Sequence, residues 1–148
     1  MKFDHIGVVV LSLEAGRDHL SSLFGITQWT QEFDDSVNMV RVQFGLDPSG
    51  ICYEAIAPLG TVSPIAEALR TGNRILNHVA YLVPDLPAAA LRLKNLRCVP
   101  TGSAKPAIAY GQRQIQFFIS PLKIIIELIE APDHLHSYVP FHGSGDGI

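Results

Sequence analysis

FDHIGVVV at residues 3–10 returns in altered form as LNHVAYLV at residues 76–83. The first segment is rich in β-branched residues, as buried strands are, and both segments carry a histidine at the third position. A shift of 73 residues therefore relates His5 to His78. Packing explains why apolar positions recur in two strands, but a recurring ionisable side chain indicates a shared chemical role.

The shift of 73 residues holds along most of the chain. It relates Glu54 to Glu127, and it also pairs Leu13 with Leu86, Leu20 with Leu93, Gln43 with Gln116, Phe44 with Phe117 and Ile56 with Ile129. One unbroken register of this length indicates a two-fold internal repeat. We expect one domain over residues 1–148, with repeats at about 1–60 and 74–131 and a C-terminal tail at 132–148.

Local signals within each repeat predict a strand, a helix and three further strands. Ser12 is placed to cap a helix from about Leu13 to Leu23, and Asp85 to cap a helix that ends near Lys94. Ser63-Pro64 predicts a short helix at 63–71 that links the halves. The further strands are expected at about 27–33, 37–44 and 51–57, and again at 97–100, 113–119 and 123–130.

Composition narrows the class of protein. The chain has 148 residues, of which 47% are apolar, enough to build the core of one domain. A formal net charge of −3 without a basic stripe argues against nucleic acid as a partner. We expect neither a signal peptide nor a membrane span, and hence a cytoplasmic protein. Two cysteines, Cys52 and Cys98, are too few for a disulfide scaffold and are expected to be reduced.

The repeated histidine and glutamate predict a metal site. Glu127 lies in the apolar run KIIIELI, where an ionised carboxylate must be paired, bound to a cation, or turned to water on an edge strand. Two neutral imidazoles and two carboxylates balance one dication. We therefore expect His5, Glu54, His78 and Glu127 to hold Ni, Co, Mn, Fe or Zn in a roughly octahedral site with two open positions. Backbone carbonyls are the expected partners of the other ring nitrogens.

A family resemblance adds to this reading. FDHIGVVV, YEAIAPLG followed by SPIAEAL, LNHVAYLVPDL and IIIELIE resemble the vicinal oxygen chelate superfamily of glyoxalases, bleomycin resistance proteins and dioxygenases. They look most like its methylmalonyl-CoA epimerase and glyoxalase I branch. The resemblance implies an α+β fold in which two tandem βαβββ modules form a cupped mixed sheet. It also implies metal binding by His5, Glu54, His78 and Glu127; the epimerases usually have glutamine at the second of these positions.

The activity implied by the resemblance is proton transfer next to a carbonyl group. The expected enzyme is a metal-dependent isomerase or lyase that stabilises an enolate of an oxygen-chelating substrate, such as a thioester of CoA or glutathione. Glu127 is the expected base, and Glu54 is the pseudosymmetric second candidate. Two other classes stay open. An Fe(II) ring-cleaving dioxygenase needs only two histidines and one carboxylate, and a metal-free protein could sequester a small molecule in the cup.

Candidate substrate contacts lie around the expected cup. Arg41 stands where the resemblance places a second catalytic glutamate of the epimerases, and it is expected either to grip an anionic group or to form a surface salt bridge. Gln43 and Gln116 are expected to share its inward face. Tyr110 lies in the glycine- and proline-bearing loop 101–111, which is expected to be mobile and to cover a ligand.

Two expectations concern assembly and the end of the chain. Modules of this kind pair within one chain or between two, and we expect a homodimer. His134, His136 and His142 lie in a C-terminal segment whose irregular histidine spacing and terminal glycines favour a loose tail rather than a second metal site.

Overall fold

The first half of the chain folds in the predicted order. The structure is a computed structural model that describes residues 1–73 and 75–141. Its first half contains β1 (Lys2–Val9), α1 (Leu13–Phe24), β2 (Gln28–Trp29), β3 (Phe33–Asp35), β4 (Val40–Leu46) and β5 (Cys52–Pro58). The single strand predicted at 27–33 is divided into two short strands.

The second half repeats this order after a linking helix. The elements are α2 (Ala66–Thr71), β6 (Leu76–Leu82), α3 (Leu86–Asn95), β7 (Val99–Pro100), β8 (Lys105–Ala107), β9 (Arg113–Ile119), β10 (Ile125–Ile129) and β11 (Val139–Pro140), with a 3-10 turn at Ile108–Tyr110. Loop 101–111 is thus not structureless, because β8 within it pairs with β9.

The caps of the two long helices are those that the sequence predicts. The Ser12 side chain accepts a hydrogen bond from the backbone of Ala15, and the Asp85 carboxylate accepts one from that of Ala88. The linking helix differs from its prediction. It begins three residues after Ser63, at Ala66, and the Ser63 side chain makes no capping hydrogen bond.

All strands of the described residues belong to one mixed sheet. Their order is β11-β2-β4-β5-β1-β6-β10-β9-β7, with β3 beside β4 and β8 beside β9. The halves meet where β1 pairs antiparallel with β6, and each of these strands pairs in parallel with the last long strand of its own half. The expected α+β fold with one mixed sheet is confirmed.

Strand register brings the repeated ionisable residues to the centre of this sheet. Across β1 and β6, His5 lies opposite Ala80 and Gly7 lies opposite His78. In the parallel pairs, Gly7 lies opposite Glu54 and Ala80 lies opposite Glu127. Each half therefore contributes one histidine and one glutamate at equivalent positions about the junction.

The two faces of the sheet have different tasks. On one face, Leu13 and Leu20 of α1 and Leu86 and Leu93 of α3 pack against the strands of their own halves, as the repeat predicts. The opposite face carries the four ionisable residues among apolar side chains, including Val42, Phe44, Ile56, Ile115 and Ile129. Helix packing thus stabilises the sheet while the other face is left to form a cavity.

Two further expectations concern the described residues. The thiols of Cys52 and Cys98 are free and buried, as predicted. None of the helices within residues 1–73 and 75–141 has the length and apolar character that crossing a bilayer requires.

Candidate metal centre

Four donor atoms converge at the junction of the halves. The Nε2 atoms of His5 and His78 lie 3.0 Å apart. Each lies 2.9–3.3 Å from the Oε2 atoms of Glu54 and Glu127. All four residues are buried, and the exposed fraction is 0% for His5 and 3% for Glu127. The structure therefore brings together all four predicted metal ligands, and it does so within a single chain.

Neighbouring side chains orient both imidazole rings. The Nδ1 of His5 lies 2.8 Å from the Asp4 carboxylate, and that of His78 lies 3.0 Å from the Oδ1 of Asn77. Donation from Nδ1 leaves a lone pair on Nε2 of the neutral ring, directed at the other donors. The expectation of backbone carbonyl partners is wrong. Asp4 and Asn77 are themselves related by the shift of 73 residues, which is the signal that would have revealed them.

One buried oxygen of the cluster indicates a cation. Although Oε2 of Glu127 lies 2.9 Å from Nε2 of His78, it accepts no hydrogen bond of ordinary geometry from the described residues. A buried carboxylate oxygen without a partner is costly. Nitrogen and oxygen lone pairs that face a common point, without thiolate, are a donor set that suits a divalent transition metal. The residues present therefore fit the metal that the sequence predicts.

The spacing of the donors suits a single bound cation. Metal–ligand bonds of about 2.0–2.2 Å separate adjacent donors by about 3.0 Å in an octahedron and by about 3.4 Å in a tetrahedron. Five of the six donor pairs are separated by 2.9–3.3 Å. These separations lie close to both values, as expected of donors that would surround one cation.

Burial and charge oppose each other in setting the pKa values of the metal-free cluster. Burial lowers the pKa of His5, but the charge of Glu54 and hydrogen bonds to carboxylates outweigh it and hold this pKa well above 6.5. Burial also lowers the pKa of His78, but the neighbouring carboxylates of Glu127 and Glu54 outweigh burial, so this pKa is raised as well. Conversely, burial raises the pKa of Glu54, but His5 and His78 lower it to about 2. A cation must displace protons from the imidazoles.

These shifts predict opposite pH dependences for the metal-free and metal-loaded protein. Since the pKa of His5 is higher in the folded than in the unfolded chain, its contribution to metal-free stability is complete below about pH 6.5 and is lost as pH rises through the folded value. Metal binding instead strengthens as those protons leave. We expect the gap between the unfolding temperatures with and without Ni²⁺ to widen from pH 6 to 8. A gap that stays constant over this range would contradict the expectation.

An apolar cavity opens above the four donors. Its volume is about 370 Å³, and Glu54, His78 and Glu127 line it. Its walls are mostly aliphatic or aromatic and include Val42, Ile56, Ile65, Ile115, Phe117 and Ile125. A concave apolar site with a few convergent polar groups is the usual form of a small-molecule site. The cluster therefore faces a space in which a ligand fits.

Loop 101–111 forms part of the cavity wall. Lys105 and Tyr110 line the cavity, and the Tyr110 hydroxyl donates to Asp4 over 2.6 Å. Asn38, which also lines the cavity, donates from its side chain to the Pro106 carbonyl at 3.0 Å and to Asp35 at 2.9 Å. Tyr110 thus lies in the cavity as predicted, and Asn38 ties the loop to the first half.

The sequence matches a known family over most of its length. The family model of the Glyoxalase/Bleomycin resistance protein/Dioxygenase superfamily matches residues 4–117. The chain belongs to this superfamily. Three of the four donors, His5, Glu54 and His78, lie inside the matched region. Among proteins of curated function, none matches the sequence of this chain.

Several solved structures share the fold of this chain. Methylmalonyl-CoA epimerase from Mycobacterium tuberculosis superposes with a TM-score of 0.69 at 24% identity, covering 86% of each chain. A hypothetical protein from Bacillus halodurans C-125 gives 0.71 at 21% identity, covering 92% of this chain and 98% of its own. A variant of the Streptomyces coelicolor epimerase in complex with 2-nitronate-propionyl-CoA gives 0.68 at 18% identity, covering 87% and 96%. At these identities the likeness establishes the fold.

Three predicted substrate contacts lie away from the cavity above the four donors. Arg41 is exposed and pairs with Asp34, with 2.9 Å between one guanidinium nitrogen and a carboxylate oxygen. The Gln43 side chain donates to the Thr30 carbonyl in the core, and that of Gln116 donates to the Gly102 carbonyl.

Sheet register explains why these three side chains lie away from the cavity, since Gln116 lies opposite Leu128, which packs with α3. Gln43 lies opposite Ala55, and Arg41 lies opposite Ala57, and both alanines face helix α1. The next residue along the strand, Phe44, lies opposite Glu54 and shares the face of the donors. A shift that pairs both Gln43 and Phe44 with their counterparts cannot tell which of the two points inward.

Arg41→Ala is expected to leave metal affinity and the unfolding temperature unchanged within experimental error. The Arg41–Asp34 pair is solvent-exposed, where ion pairs contribute little, and no donor of the cluster touches it. Metal titration and thermal unfolding of the variant check this expectation. A loss of metal binding would show that the guanidinium acts on the site.

The described part of the C-terminal segment packs against the site, contrary to the expected loose tail. His136 stacks on Phe44 with ring centroids 4.3 Å apart and lies 2.9 Å from the Asp4 carboxylate. His134, His136 and Tyr138 alternate with exposed residues in HLHSYV, a period of two that indicates an extended segment with one covered side. His142 lies outside the described residues.

Proposed function

We propose that the protein is a divalent-metal-dependent isomerase or lyase that transfers a proton at a carbon next to a carbonyl group. One observation carries the proposal. The unpartnered Oε2 of Glu127 lies beside three other donors at the bottom of an apolar cavity. This arrangement combines a cation site with a carboxylate that can act as a base, and the residues of both are buried.

The donors have distinct tasks in this proposal. His5, Glu54, His78 and Glu127 would hold the cation, which when bound stabilises negative charge on a substrate oxygen. Glu127 would accept the proton at Oε2 after this oxygen has moved from the donor set toward the substrate; no described hydrogen-bond donor occupies it. Glu54 enters the site from the other half of the sheet and also lines the cavity. It is placed to return a proton from the opposite side, which is what an isomerisation requires.

The cavity favours a substrate with a small apolar body and two neighbouring oxygens. A volume of about 370 Å³ holds a short acyl group but leaves a bulky carrier outside. Lys105 lies at the cavity wall with its residue exposed to solvent, which suits the negative charges of CoA or glutathione. The complex of a structurally similar epimerase with 2-nitronate-propionyl-CoA supports a CoA thioester as one candidate.

The fourth donor weighs against the two other classes. A ring-cleaving dioxygenase needs free positions for dioxygen and a catechol, and Glu54 would occupy one of them. A protein that only sequesters a ligand has no need of a buried, unpartnered carboxylate oxygen beside three other donors. Proton transfer makes use of all four side chains.

Metal analysis followed by isotope exchange tests the proposal. Purified protein is expected to contain close to one divalent metal per chain, and His78→Ala is expected to lose it. With metal bound, the wild type is expected to exchange the α-hydrogen of small acyl-CoA or glutathione thioesters with deuterium from the solvent. Consumption of dioxygen in place of exchange would favour the dioxygenase, and a chain that binds no metal would favour the binding protein.

Assembly and location stay proposals. Since all four donors come from one chain, the site is complete without a second subunit. The proposed homodimer is therefore not required for metal binding, and sedimentation of the metal-loaded protein tests it. A cytoplasmic location follows from the proposed use of intracellular thioesters.

A further inference from the structure

Asp4 is the meeting point of three side chains from distant parts of the chain. Its Oδ2 lies 2.8 Å from Nδ1 of His5, 2.6 Å from the Tyr110 hydroxyl and 2.9 Å from Nε2 of His136. The side chains of Asp4 and His136 are 6% and 8% exposed. Hydrogen bonds at these distances in a nearly dry environment fix the carboxylate in place.

The C-terminal segment holds His136 at this point from both directions. The His136 ring stacks on Phe44, and its Nδ1 lies 3.4 Å from Nε2 of His134. Further along, the Tyr138 hydroxyl lies 3.1 Å from the Cys52 sulfur. Strand β11 then pairs with β2 at the edge of the sheet. The imidazole is therefore a built part of the structure and not an incidental neighbour.

The second half of the fold lacks this arrangement. Asn77 occupies the position equivalent to Asp4, and within the described residues its side chain hydrogen-bonds His78 alone. The two metal histidines thus differ in what orients them. His5 has a carboxylate fixed by two further donors, whereas His78 has a neutral amide.

We propose that His136 is a positioning residue for the metal centre, and that the segment around it completes the support of His5 through Asp4. The inference rests on the proposed metal-dependent function. A carboxylate that receives the Nδ1 proton of a ligating histidine fixes its ring and increases its basicity. Without His136, Asp4 loses one of the donors that keep it aimed at His5. Changes to such outer partners typically weaken metal binding by about 10–100-fold.

Two substitutions at one position separate this role from simple packing. His136→Phe keeps a ring over Phe44 but donates nothing to Asp4. His136→Gln loses the ring but offers an amide N–H in place of Nε2. Leu135→Ala is the matched control, because it changes the residue before His136 in the same segment, and the Leu135 side chain is 79% exposed. The measurements are Co²⁺ affinity by chelator competition, the visible spectrum of bound Co²⁺, and the unfolding temperature of the metal-free protein.

We expect His136→Phe to weaken Co²⁺ binding by about tenfold or more and to change the cobalt spectrum, with His136→Gln nearer the wild type. Leu135→Ala is expected to stay within about twofold, well below the effect of losing an outer partner. Equal affinities for wild type and His136→Phe would overturn the inference alone, as would equal losses in both His136 variants. A wild type that binds no Co²⁺ would instead overturn the proposed function with it. Should His136→Phe fail to fold, weak binding by folded His136→Gln with an altered spectrum would still contradict the inference.

Discussion

Glu127→Gln is expected to reduce α-proton exchange by about 10²–10⁴-fold, the usual contribution of a general base. Glutamine keeps the shape of the side chain and an oxygen for the cation, but its amide does not accept a proton from carbon. The change falls on the buried oxygen that lacks a partner in the described residues, so it removes the group on which the proposed chemistry depends. Deuterium incorporation, measured with saturating metal, gives the rate.

Glu54→Gln provides the matched control. It makes the same chemical change at the equivalent position of the other half, and the epimerases that the sequence resembles usually have glutamine there. We expect metal binding and a larger share of the exchange rate to persist in this variant. Equal losses in both variants would mean that the two carboxylates act as a pair, and full activity of Glu127→Gln would exclude Glu127 as the base.

Gly7→Ala is expected to weaken metal binding by about 100-fold or more, beyond the effect of losing an outer partner, because it displaces a ligand. A Cβ at Gly7 would overlap the His78 ring, lying 2.7 Å from its Nε2 and closer to other ring atoms. Gly7 lies opposite both His78 and Glu54 in the sheet, so the backbone cannot move away without shifting a second donor. Isothermal titration with Ni²⁺ or Co²⁺ measures the loss.

Gly16→Ala separates displacement of a ligand from general strain. A Cβ at Gly16 would lie 2.5 Å from the Val10 side chain, a similar clash on helix α1 and away from the donors. We expect this variant to unfold at a lower temperature but to bind metal as the wild type does. If Gly7→Ala binds metal normally, the His78 ring has room that the structure does not show.

The internal repeat predicts the four converging donors and the order of elements in each half because both depend on positions that recur, whereas the cupped mixed sheet is implied by the family resemblance. His5 and Glu54 have counterparts that close the same site, and Leu13 and Leu20 have counterparts that pack a second helix in the same way. Recurring positions predict these pairs of residues even when the hydrogen-bond register between the strands is not known.

Features that depend on register or on asymmetry were not predicted correctly. Gln43 was placed on the wrong face because its neighbour Phe44 repeats equally well, and only the pairing of β4 with β5 decides between them. His136 has no counterpart in the first half, so the repeat is silent about it. The alternation of aromatic and other residues in HLHSYV is a signal of an extended segment with one covered side, and it outweighs the irregular spacing of the histidines.

The two halves join where β1 pairs with β6, and each half contributes only one imidazole and one carboxylate to the donor set. Neither half can chelate a cation with four groups by itself. Peeling the halves apart therefore breaks the site, and a bound ion must leave before or during that opening. The cation would hold the two halves together. Metal binding should therefore slow amide hydrogen exchange along β1 and β6 more than at the outer edges of the sheet.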